Sequence, residues 1–382
     1  MAITLKIGSP VEGSDFYGRL HELELAQKRL KGNNLILAAP RRVGKTSFSR
    51  KMLTIIHKEG WNGIFINLEG IPNISTFFKT VYEELLKQPN VSKSKQVAEF
   101  IKKHLPNNID LAAKIAGVDA SISLTQSASN DFAILQENLQ KIEEPTLIVL
   151  DELTVFLEKL LRDENEGIVK DFLGQFRALR QTTNNHCRWI VASSIGVRNF
   201  ASMHNLSDTL NDFAEFPLGA YDNTEATGLV KELTKSEDIE IDAACTQYLL
   251  EKIGWNIPYF IQLMISQLSN IRVHQVKRQD IDAAYENLLR TASFETWSER
   301  LAKEYSTHEA DARRILDYIC KAPDGKERND INNWMAETGI SSEHLSTLLM
   351  TLENDGYLGK TGTRRFFRSP LLRDYWKRKF CE

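Results

Sequence analysis

Short apolar runs alternate with longer amphipathic stretches through the first half of the chain. Five runs have the length of buried strands: residues 35–39 (LILAA), 63–68 (GIFINL), 146–150 (TLIVL), 189–192 (WIVA) and 215–218 (EFPL). Each is almost continuously apolar, which is typical of strands covered on both faces of a parallel sheet. The pattern therefore predicts an α/β domain, a parallel sheet flanked by helices. The connecting stretches read as helical, except that residues 118–124 (VDASISL) alternate as an inserted strand would.

The pattern becomes almost wholly helical after Pro217. Asp222 and Glu225 resemble a capping box that opens this helical region. From residue 308 onward the pattern predicts three helices, two short strands and a last helix, which is the winged-helix order. Their predicted bounds are 310–321, 330–337, 342–354, 357–360, 364–368 and 371–379. We therefore expect three domains: an α/β domain (1–218), a helical lid (219–300) and a winged helix (301–382).

Composition narrows the class of protein. The 382 residues are 42% hydrophobic and 26% charged, which is ordinary for packed domains. The formal net charge of −3 gives no global reason to expect nucleic acid or an anionic membrane as a partner. The four cysteines lack metal-ligand spacing, and no apolar run approaches the ~20 residues of a spanning helix. With no apolar leader segment visible either, we expect a cytoplasmic protein that does not contact membrane.

Residues 39–46 (APRRVGKT) carry the clearest chemical signal, because they lie between a predicted strand and a predicted helix. Binding a nucleotide phosphate needs inward-pointing backbone N–H groups, a cation and a hydroxyl that holds Mg²⁺. The loop, Lys45 and Thr46 would supply these in turn, which predicts an ATP site with Mg²⁺. Its expected residues are Ala39, Pro40, Arg41, Arg42, Val43, Gly44, Lys45, Thr46 and Ser47. Alanine replaces the first glycine of the GxxxxGK[ST] pattern, a small change because Gly44 makes the crowded turn.

Asp151 and Glu152 follow the predicted strand at residues 146–150. A carboxylate at the carboxyl end of such a strand, neighbouring the phosphate loop in a parallel sheet, lies where Mg²⁺ must be held. We expect Asp151 to bind the metal and Glu152 to polarise the attacking water. A strand that ends in a solvated acidic pair would look the same, but the position downstream of a phosphate loop favours the functional interpretation.

Ser193 and Ser194 end the predicted strand at residues 189–192. A hydroxyl at this strand tip would bond the γ-phosphate or the lytic water, the role called sensor 1. The pair is equally typical of a turn that closes a strand. Arg198, just beyond, is either an arginine finger acting in trans or, as we favour, a surface charge.

These segments together resemble the archaeal-type ATPases, P-loop proteins of the STAND class related to the AAA+ initiators of origin recognition. The resemblance rests on FYGR, LILAAPRRVGKTS, LIVLDE, WIVASSIGV and DFAEFPL, and it extends to GWNIPY and the winged helix. It implies that Phe16 and Arg19 lie against adenine and that Pro258 lies where the lid closes over nucleotide. No arginine stands within GWNIPY, where many AAA+ proteins place a sensor 2 arginine, so strong hydrolysis is not implied. Phe16 equally reads as a core residue, and Pro258 as a helix-initiating proline.

Basic residues concentrate near the end of the chain. Residues 355–382 contain eight Lys or Arg and three Asp or Glu, a local excess of five positive charges. Arg364, Arg365 and Arg368 on the predicted hairpin could therefore contact DNA phosphates. The predicted helix at 342–354 contains no Lys or Arg, which makes it a poor major-groove reader. We favour docking within the molecule or on a protein partner over sequence-specific DNA binding.

The combined expectation is an ATP-binding switch with slow Mg²⁺-dependent hydrolysis. Nucleotide state, ATP or ADP, would set how lid and winged helix pack, or how the chain assembles with a second copy or a protein partner. The alternative is an ATP-regulated DNA-binding protein of the initiator or transposition-regulator type. A third interpretation, a scaffold that holds nucleotide structurally, would show no turnover.

Overall fold

The computed structural model describes residues 3–93, 99, 120–181, 186–193, 196–305 and 308–382 of the chain. The chain folds into two compact units. The sheet unit comprises Leu20–Ala38 and Lys45–Pro217, and the helical unit comprises Met1–Arg19, Ala39–Gly44 and Leu218–Glu382. None of the helices that the structure describes is both long and apolar enough to cross a bilayer.

The sheet unit is built on five parallel strands in the order β2-β3-β4-β1-β5. Each of the five strands overlaps one of the predicted apolar runs, which confirms the α/β prediction. β3 lies inside the sheet, and all six of its residues are buried, which fits the four apolar residues at its centre. The strands are β1 (Asn34–Ala38), β2 (Asn62–Asn67), β3 (Thr146–Asp151), β4 (Cys187–Ala192) and β5 (Phe213–Pro217).

The sheet order corrects one detail of the sequence interpretation. The sequence pattern suggests β3 as the neighbour of the strand that leads into the phosphate loop, yet β4 lies between β3 and β1. The register pairs Leu35 of β1 with Ile190 of β4, and Ile148 of β3 with Trp189 of β4. Strand order is a long-range property, so apolar runs alone do not specify it.

Eight helices of the sheet unit fall within the described residues. They are α1 (Leu20–Leu30), α2 (Lys45–Lys58), α3 (Ile74–Leu86), α4 (Pro89–Lys93), α5 (Ala120–Lys141), α6 (Leu153–Asp163), α7 (Glu166–Arg180) and α8 (Val197–Met203). The strand suggested at residues 118–124 is wrong where the structure describes it, since α5 begins at Ala120; residues 118 and 119 lie outside the described part. Polar and apolar residues alternate by chance at the serine-rich start of α5, and the sequence that follows has the spacing of a helix.

Helix α2 is fixed on the sheet by one apolar stripe. Phe48, Met52 and Ile56 are buried and recur every four residues, the spacing of one helical face. The Phe48 ring stacks on Phe216 of β5 with centroids 5.7 Å apart. Because the first residue of α2 is Lys45, this packing also fixes where Lys45 and Thr46 begin their helix.

An aromatic cluster packs α3 on α7 and α7 on β4. Phe77 of α3 meets Phe172 of α7 edge to face at 5.4 Å, and Phe176 of α7 meets Trp189 of β4 at 4.9 Å. Edge-to-face pairs add to the free energy gained from burial. The end of β4, where Ser193 follows, is therefore anchored by core packing.

The helical unit continues the chain after β5 with five helices. They are α9 (Asn223–Ser236), α10 (Ala243–Ile253), α11 (Pro258–Asn270), α12 (Arg278–Leu288) and α13 (Glu295–Tyr305). Asp222 caps α9 and accepts a hydrogen bond from the Glu225 N–H over 2.8 Å, as predicted. The Glu225 carboxylate does not complete the box; it accepts from the Arg19 backbone N–H over 2.6 Å.

The C-terminal region (Glu309–Phe380) follows the predicted element order and adds one strand. Its elements are α14 (Glu309–Ile319), β6 (Lys326–Glu327), α15 (Arg328–Ala336), α16 (Ser342–Asn354), β7 (Leu358–Thr361), β8 (Arg364–Phe367) and α17 (Pro370–Phe380). The three strands are antiparallel in the order β6-β8-β7. Two residues are too few for a periodic pattern, which is why the sequence does not predict β6.

Candidate nucleotide-binding site

The sheet unit brings Thr46 and Asp151 into direct contact. Asp151 ends β3 and is 2% exposed, and Thr46 is the second residue of α2. Thr46 Oγ1 donates a hydrogen bond to Asp151 Oδ2 over 2.7 Å. The two residues predicted as Mg²⁺ ligands are 105 positions apart in the sequence and meet at one point.

The electrostatics around Asp151 suit a bound cation. Burial raises the pKa of Asp151, and the neighbouring charge of Glu152 raises it further. The Thr46 hydroxyl and the Lys45 charge act in the opposite direction and lower the same pKa. A buried carboxylate beside a hydroxyl offers the hard oxygen ligands that Mg²⁺ prefers, so these residues fit that metal.

Glu152 lies one residue beyond β3 in a strained conformation. Its φ is +58°, in the left-handed region that non-glycine residues seldom adopt. Its carboxylate Oε2 accepts a hydrogen bond from Ser193 Oγ over 3.3 Å. The predicted base and the predicted sensor therefore touch, whereas Ser194 lies outside the described residues.

The loop Ala39–Gly44 joins β1 to α2 and has backbone suited to close approach by a ligand. Gly44 has φ +103°, and a Cβ added there would meet no atom within 4 Å. Glycine is needed at 44 for its backbone angle, and the open space on that side leaves room for a phosphate. Ala39 is not among the described non-glycine residues with positive φ, so its methyl group causes no backbone strain.

Within the helical unit, two arginines tie this loop to its surroundings. The buried Arg19 guanidinium donates to the Val43 carbonyl over 3.2 Å and to the Gly219 carbonyl over 2.7 Å. The Arg42 guanidinium lies over the Tyr259 ring, 4.5 Å from its centroid. Both arginines have left-handed backbone, with φ of +62° and +65°. Such strain persists only where surrounding contacts enforce it.

The same loop also contacts the C-terminal region within the helical unit. Gly356, just after α16, has φ +89°, and a Cβ placed there would come within 2.8 Å of Pro40 Cβ. It would also come within 2.8 Å of Trp255 Cη2. Gly356 is therefore required both by its backbone angle and by close packing against the loop.

Comparison with known proteins gives structural matches alone. No family model matches the sequence, and no curated protein matches it either. Among solved structures, the Walker-type ATPase PABY2304 of Pyrococcus abyssi matches with a TM-score of 0.67 at 16% identity, covering 98% of this chain and 99% of that one. The ORC2 protein of Aeropyrum pernix, solved in ADPNP–ADP complexes, matches with a TM-score of 0.53 at 14% identity, covering 97% and 98%.

The fold is that of a P-loop ATPase. At these identities the likeness shows the fold and says nothing of individual residues. What the P-loop ATPase fold does explain is why the loop after β1, the end of β3 and the end of β4 all carry predicted site residues. In a parallel sheet the carboxyl ends of the strands lie at one edge.

Phe16, Arg19 and Pro258, the residues assigned by resemblance, differ in burial and in their contacts within this P-loop ATPase fold. Phe16 is half-buried, and Arg19 is buried with its guanidinium on backbone carbonyls. Pro258 is the first residue of α11, and the ring beside the loop arginine belongs to the next residue, Tyr259. Contact of Phe16, Arg19 or Pro258 with nucleotide stays a prediction.

Sequence reasoning missed the residues that support the loop. Tyr259 and Trp255 lie inside the GWNIPY motif, but nothing in the sequence indicates that they face Arg42 or Gly356. Gly356 itself has a local signal, since Asp-Gly after a helix is typical of a left-handed residue. Glu225 resembles a capping residue in the sequence, although its carboxylate holds the Arg19 backbone.

The predicted basic hairpin is largely engaged by the protein itself. Arg365 Nε donates to Glu353 Oε1 over 2.5 Å, and Arg364 Nε donates to Glu327 Oε1 over 2.9 Å. Arg368 donates to the Leu358 and Glu353 carbonyls, and burial lowers its pKa. In the sheet unit, Arg198 forms an ion pair with Glu215 and bonds the Phe213 carbonyl over 3.0 Å.

Proposed function

We propose that the chain binds ATP with Mg²⁺ through residues 39–47 and acts as a slow ATPase switch. The observation that carries the proposal is the 2.7 Å contact between Thr46 Oγ1 and buried Asp151 Oδ2. A helix that begins with Lys-Thr directly after a glycine-containing loop, and that meets a buried carboxylate, fits few chemistries besides binding metal and phosphate. The two matched structures support it, since one is named a Walker-type ATPase and the other contains nucleotides.

Each residue has a role in this proposal. The loop N–H groups and the α2 N-terminus bind the phosphates, and the Lys45 ammonium lies against the β- and γ-phosphate oxygens. Thr46 and Asp151 hold Mg²⁺, which neutralises charge on those phosphates when bound. Glu152 orients the attacking water and accepts its proton.

Slow turnover is supported by the contacts of Glu152 and Arg198. Ser193 Oγ donates a hydrogen bond to one oxygen of the Glu152 carboxylate, a contact that orients the group but brings no positive charge to the phosphates. Arg198 is engaged by Glu215 and Phe213. Together with the absence of arginine from GWNIPY, these contacts fit an enzyme that hydrolyses ATP slowly and therefore stays in its ATP-bound state for a long time.

The switch part of the proposal rests on the helical unit. The loop Ala39–Gly44 contacts Gly356 through Pro40 and contacts Tyr259 through Arg42. A phosphate that reshapes this loop would therefore change the packing of the lid (219–300) and of the winged helix (301–382). Assembly with a second copy or a protein partner would follow that change.

DNA binding through the winged helix is the second candidate, and the contacts support it less well. Arg365 and Arg368 are bound to Glu353 and to backbone carbonyls. Arg364, at 49% side-chain exposure, remains the most accessible of the three. Docking of these arginines on the protein's own acidic groups is thus the better-supported role.

The deciding experiment measures the ATP-dependent rise in melting temperature with and without Mg²⁺. Lys45→Ala removes the cation that faces the phosphates, so the rise should vanish while the apo protein still melts cooperatively. For the parent, ligand at 100 times Kd should add about 2.7 kcal/mol to the free energy of unfolding. Lys58→Ala, the same change at the exposed far end of α2, should keep the full rise. An unchanged rise in Lys45→Ala would reject the proposed site.

Assembly is tested on the same protein by sedimentation velocity. The sedimentation coefficient with ADP is compared with that in a non-hydrolysable ATP analogue. A difference between the two sedimentation coefficients supports the switch. If the coefficients are identical although both nucleotides are shown to bind, the protein binds nucleotide without a change in assembly.

A further inference from the structure

Two thiols meet at the ends of helices α14 and α17. Cys320 follows the last residue of α14, and Cys381 follows the last residue of α17. Their Sγ atoms lie 3.3 Å apart although 61 positions separate them in the sequence. Both cysteines are free thiols and both belong to the helical unit. Neither takes any part in the proposed nucleotide chemistry.

The surroundings of the pair make the two sulfurs unequal. Cys320 is 2% exposed, whereas Cys381 is half-buried and open to small solutes. Both Sγ atoms also face the Asp317 carbonyl, at 3.3 Å from Cys320 and 3.8 Å from Cys381. Burial and the neighbouring Cys381 raise the pKa of the Cys320 thiol. Cys381 is therefore the sulfur that meets an external oxidant first.

Closing a bond between them needs little movement. A disulfide has its sulfurs about 2.0 Å apart, so the gap must shorten by about 1.3 Å. Cys381 lies one residue beyond α17, and its backbone N–H donates to the Lys377 carbonyl over 2.9 Å, so the backbone stays in place while the side chain rotates. Side-chain rotation at Cys381 can therefore supply the movement.

We propose that Cys320 and Cys381 form a reversible intramolecular disulfide when the protein meets a peroxide. The Cys381 thiolate attacks one peroxide oxygen, the O–O bond breaks, and the other oxygen leaves as water after taking a proton. Cys381 is then a sulfenic acid. The Cys320 sulfur gives up its proton and attacks the Cys381 sulfur; the S–O bond breaks and a second water leaves. Two thiols and one hydrogen peroxide thus become one disulfide and two waters.

The bond would join α14 to a helix that packs on the lid helices. In α17, Asp374 accepts a hydrogen bond from Tyr285 Oη over 2.7 Å, and the Tyr375 ring lies 5.1 Å from the Phe294 ring. Lys379 donates to Ser298 Oγ over 3.1 Å. Oxidation would therefore tie the ends of the C-terminal region together while α17 is docked, and it would raise the melting temperature.

The test uses the full chain, reduced and then treated with a small excess of hydrogen peroxide. The intact mass should fall by two hydrogens, and thiols titrated after denaturation should fall from the four of the sequence to two. Trypsin under non-reducing conditions should release residues 315–321 (ILDYICK) linked to residues 380–382 (FCE). Dithiothreitol should separate the two peptides and restore all thiols.

Matched serine variants identify the pair. Cys381→Ser should keep three thiols through the same treatment, because the sulfur that meets the peroxide is gone. Cys320→Ser should keep two, because Cys381 is still oxidised to a sulfenic acid but has no thiol with which to form the disulfide. Neither variant should show the oxidative rise in melting temperature. Cys245→Ser, which removes a buried thiol that bonds the Val276 carbonyl, should still lose two thiols. The proposal is overturned if the parent keeps four thiols, if the linked peptides contain another cysteine, or if oxidation yields only cross-linked dimers or sulfinic acid.

Discussion

Glu152 combines a left-handed backbone with a carboxylate placed directly after β3. A glutamate with φ +58° is held against a backbone preference of about 1–2 kcal/mol. Its neighbours supply the constraint, since Asp151 is buried on one side and α6 begins with Leu153 on the other. The conformation presents the carboxylate to Ser193. Strain concentrated at one carboxylate fits a site that needs this group in one place.

Replacing Glu152 by glutamine should preserve nucleotide binding and abolish turnover. The amide has nearly the same shape but cannot accept a proton, and loss of a general base costs about 10²–10⁴-fold in rate. The measurement pairs phosphate release with the ATP-dependent melting shift. Glu166→Gln, the same change at the exposed start of α7, should leave both unchanged. Parental turnover in Glu152→Gln would mean that the base lies elsewhere.

At the scale of elements, helix α5 contains a buried carboxylate that carries a pH dependence. Asp131 is 8% exposed, and burial raises its pKa from 3.8 to about 6. A raised carboxylate pKa favours the protonated folded form, so its stabilising effect is complete below pH 3.8. That effect is lost as pH rises through about 6.

Asp131→Asn should therefore stabilise the protein at neutral pH. The shift of roughly two pKa units corresponds to about 3 kcal/mol at most, because the asparagine never has to bury a charge. Urea unfolding at pH 7.5 and near pH 4 measures it: the variant should gain stability at pH 7.5, and the gain should shrink near pH 4. A gain that is equal at the two pH values would show that the Asp131 charge is not its source.

The elements also show what the sequence could and could not predict. The five strands were predictable because each contains a short, almost continuously apolar run. Helix α16 was predicted to the residue because Ser341 caps it and Leu345, Leu348, Leu349 and Leu352 form its buried face. β6 was too short for any pattern, and the start of α5 alternates like a strand. The order of strands in the sheet required long-range packing that no local pattern records.

The contact between Gly356 and Pro40 gives a prediction for the junction of loop and C-terminal region. Gly356→Ala adds a methyl group 2.8 Å from Pro40 Cβ, so the loop must shift. We expect nucleotide release to accelerate about tenfold, equivalent to about 1.4 kcal/mol of lost affinity. Release is measured by chasing a fluorescent ATP analogue with unlabelled ATP.

Gly339→Ala is the matched control for that variant. Gly339 has φ +75°, close to the +89° of Gly356, but an added Cβ there would meet no atom within 4 Å. Both variants bear the same backbone strain, and only one disturbs the loop. If both variants release nucleotide equally fast, backbone strain in the C-terminal region explains the faster release. The contact with Pro40 would then have no part in it.

Over the whole molecule, the candidate site residues could be predicted from the sequence, whereas most of the contacts between distant segments could not. The residue types and spacing of Lys45, Thr46 and Asp151 predict a phosphate and metal site. Pro40 against Gly356, and Cys320 against Cys381, join segments far apart in the sequence, and neither pairing has any local signature. The same holds for charge: the excess of basic residues at 355–382 resembles an exposed patch, yet Glu327, which pairs with Arg364, lies outside that stretch.

The role of the basic hairpin can be decided with one triple variant. Arg364, Arg365 and Arg368 replaced together by alanine should change nucleotide release or assembly, because Arg365 and Arg368 bind Glu353 and backbone carbonyls within the helical unit. Duplex DNA binding should be negligible in parent and variant at low and at moderate salt. Lys28, Lys31 and Lys58, all exposed, provide a control triple variant with the same change in net charge, which should leave nucleotide release and assembly at parental values.

Measurable binding to duplex DNA would instead support a nucleic-acid role, and its dependence on salt and on DNA sequence would show how the protein contacts DNA. Phosphate contacts through the hairpin would give binding that ignores sequence and falls with salt, each neutralised phosphate adding about −0.9 to the log–log slope. The hairpin triple variant should then flatten that slope while the lysine control keeps it. Tight binding to one sequence that survives added salt would contradict both accounts, because α16 contains no Lys or Arg to read bases.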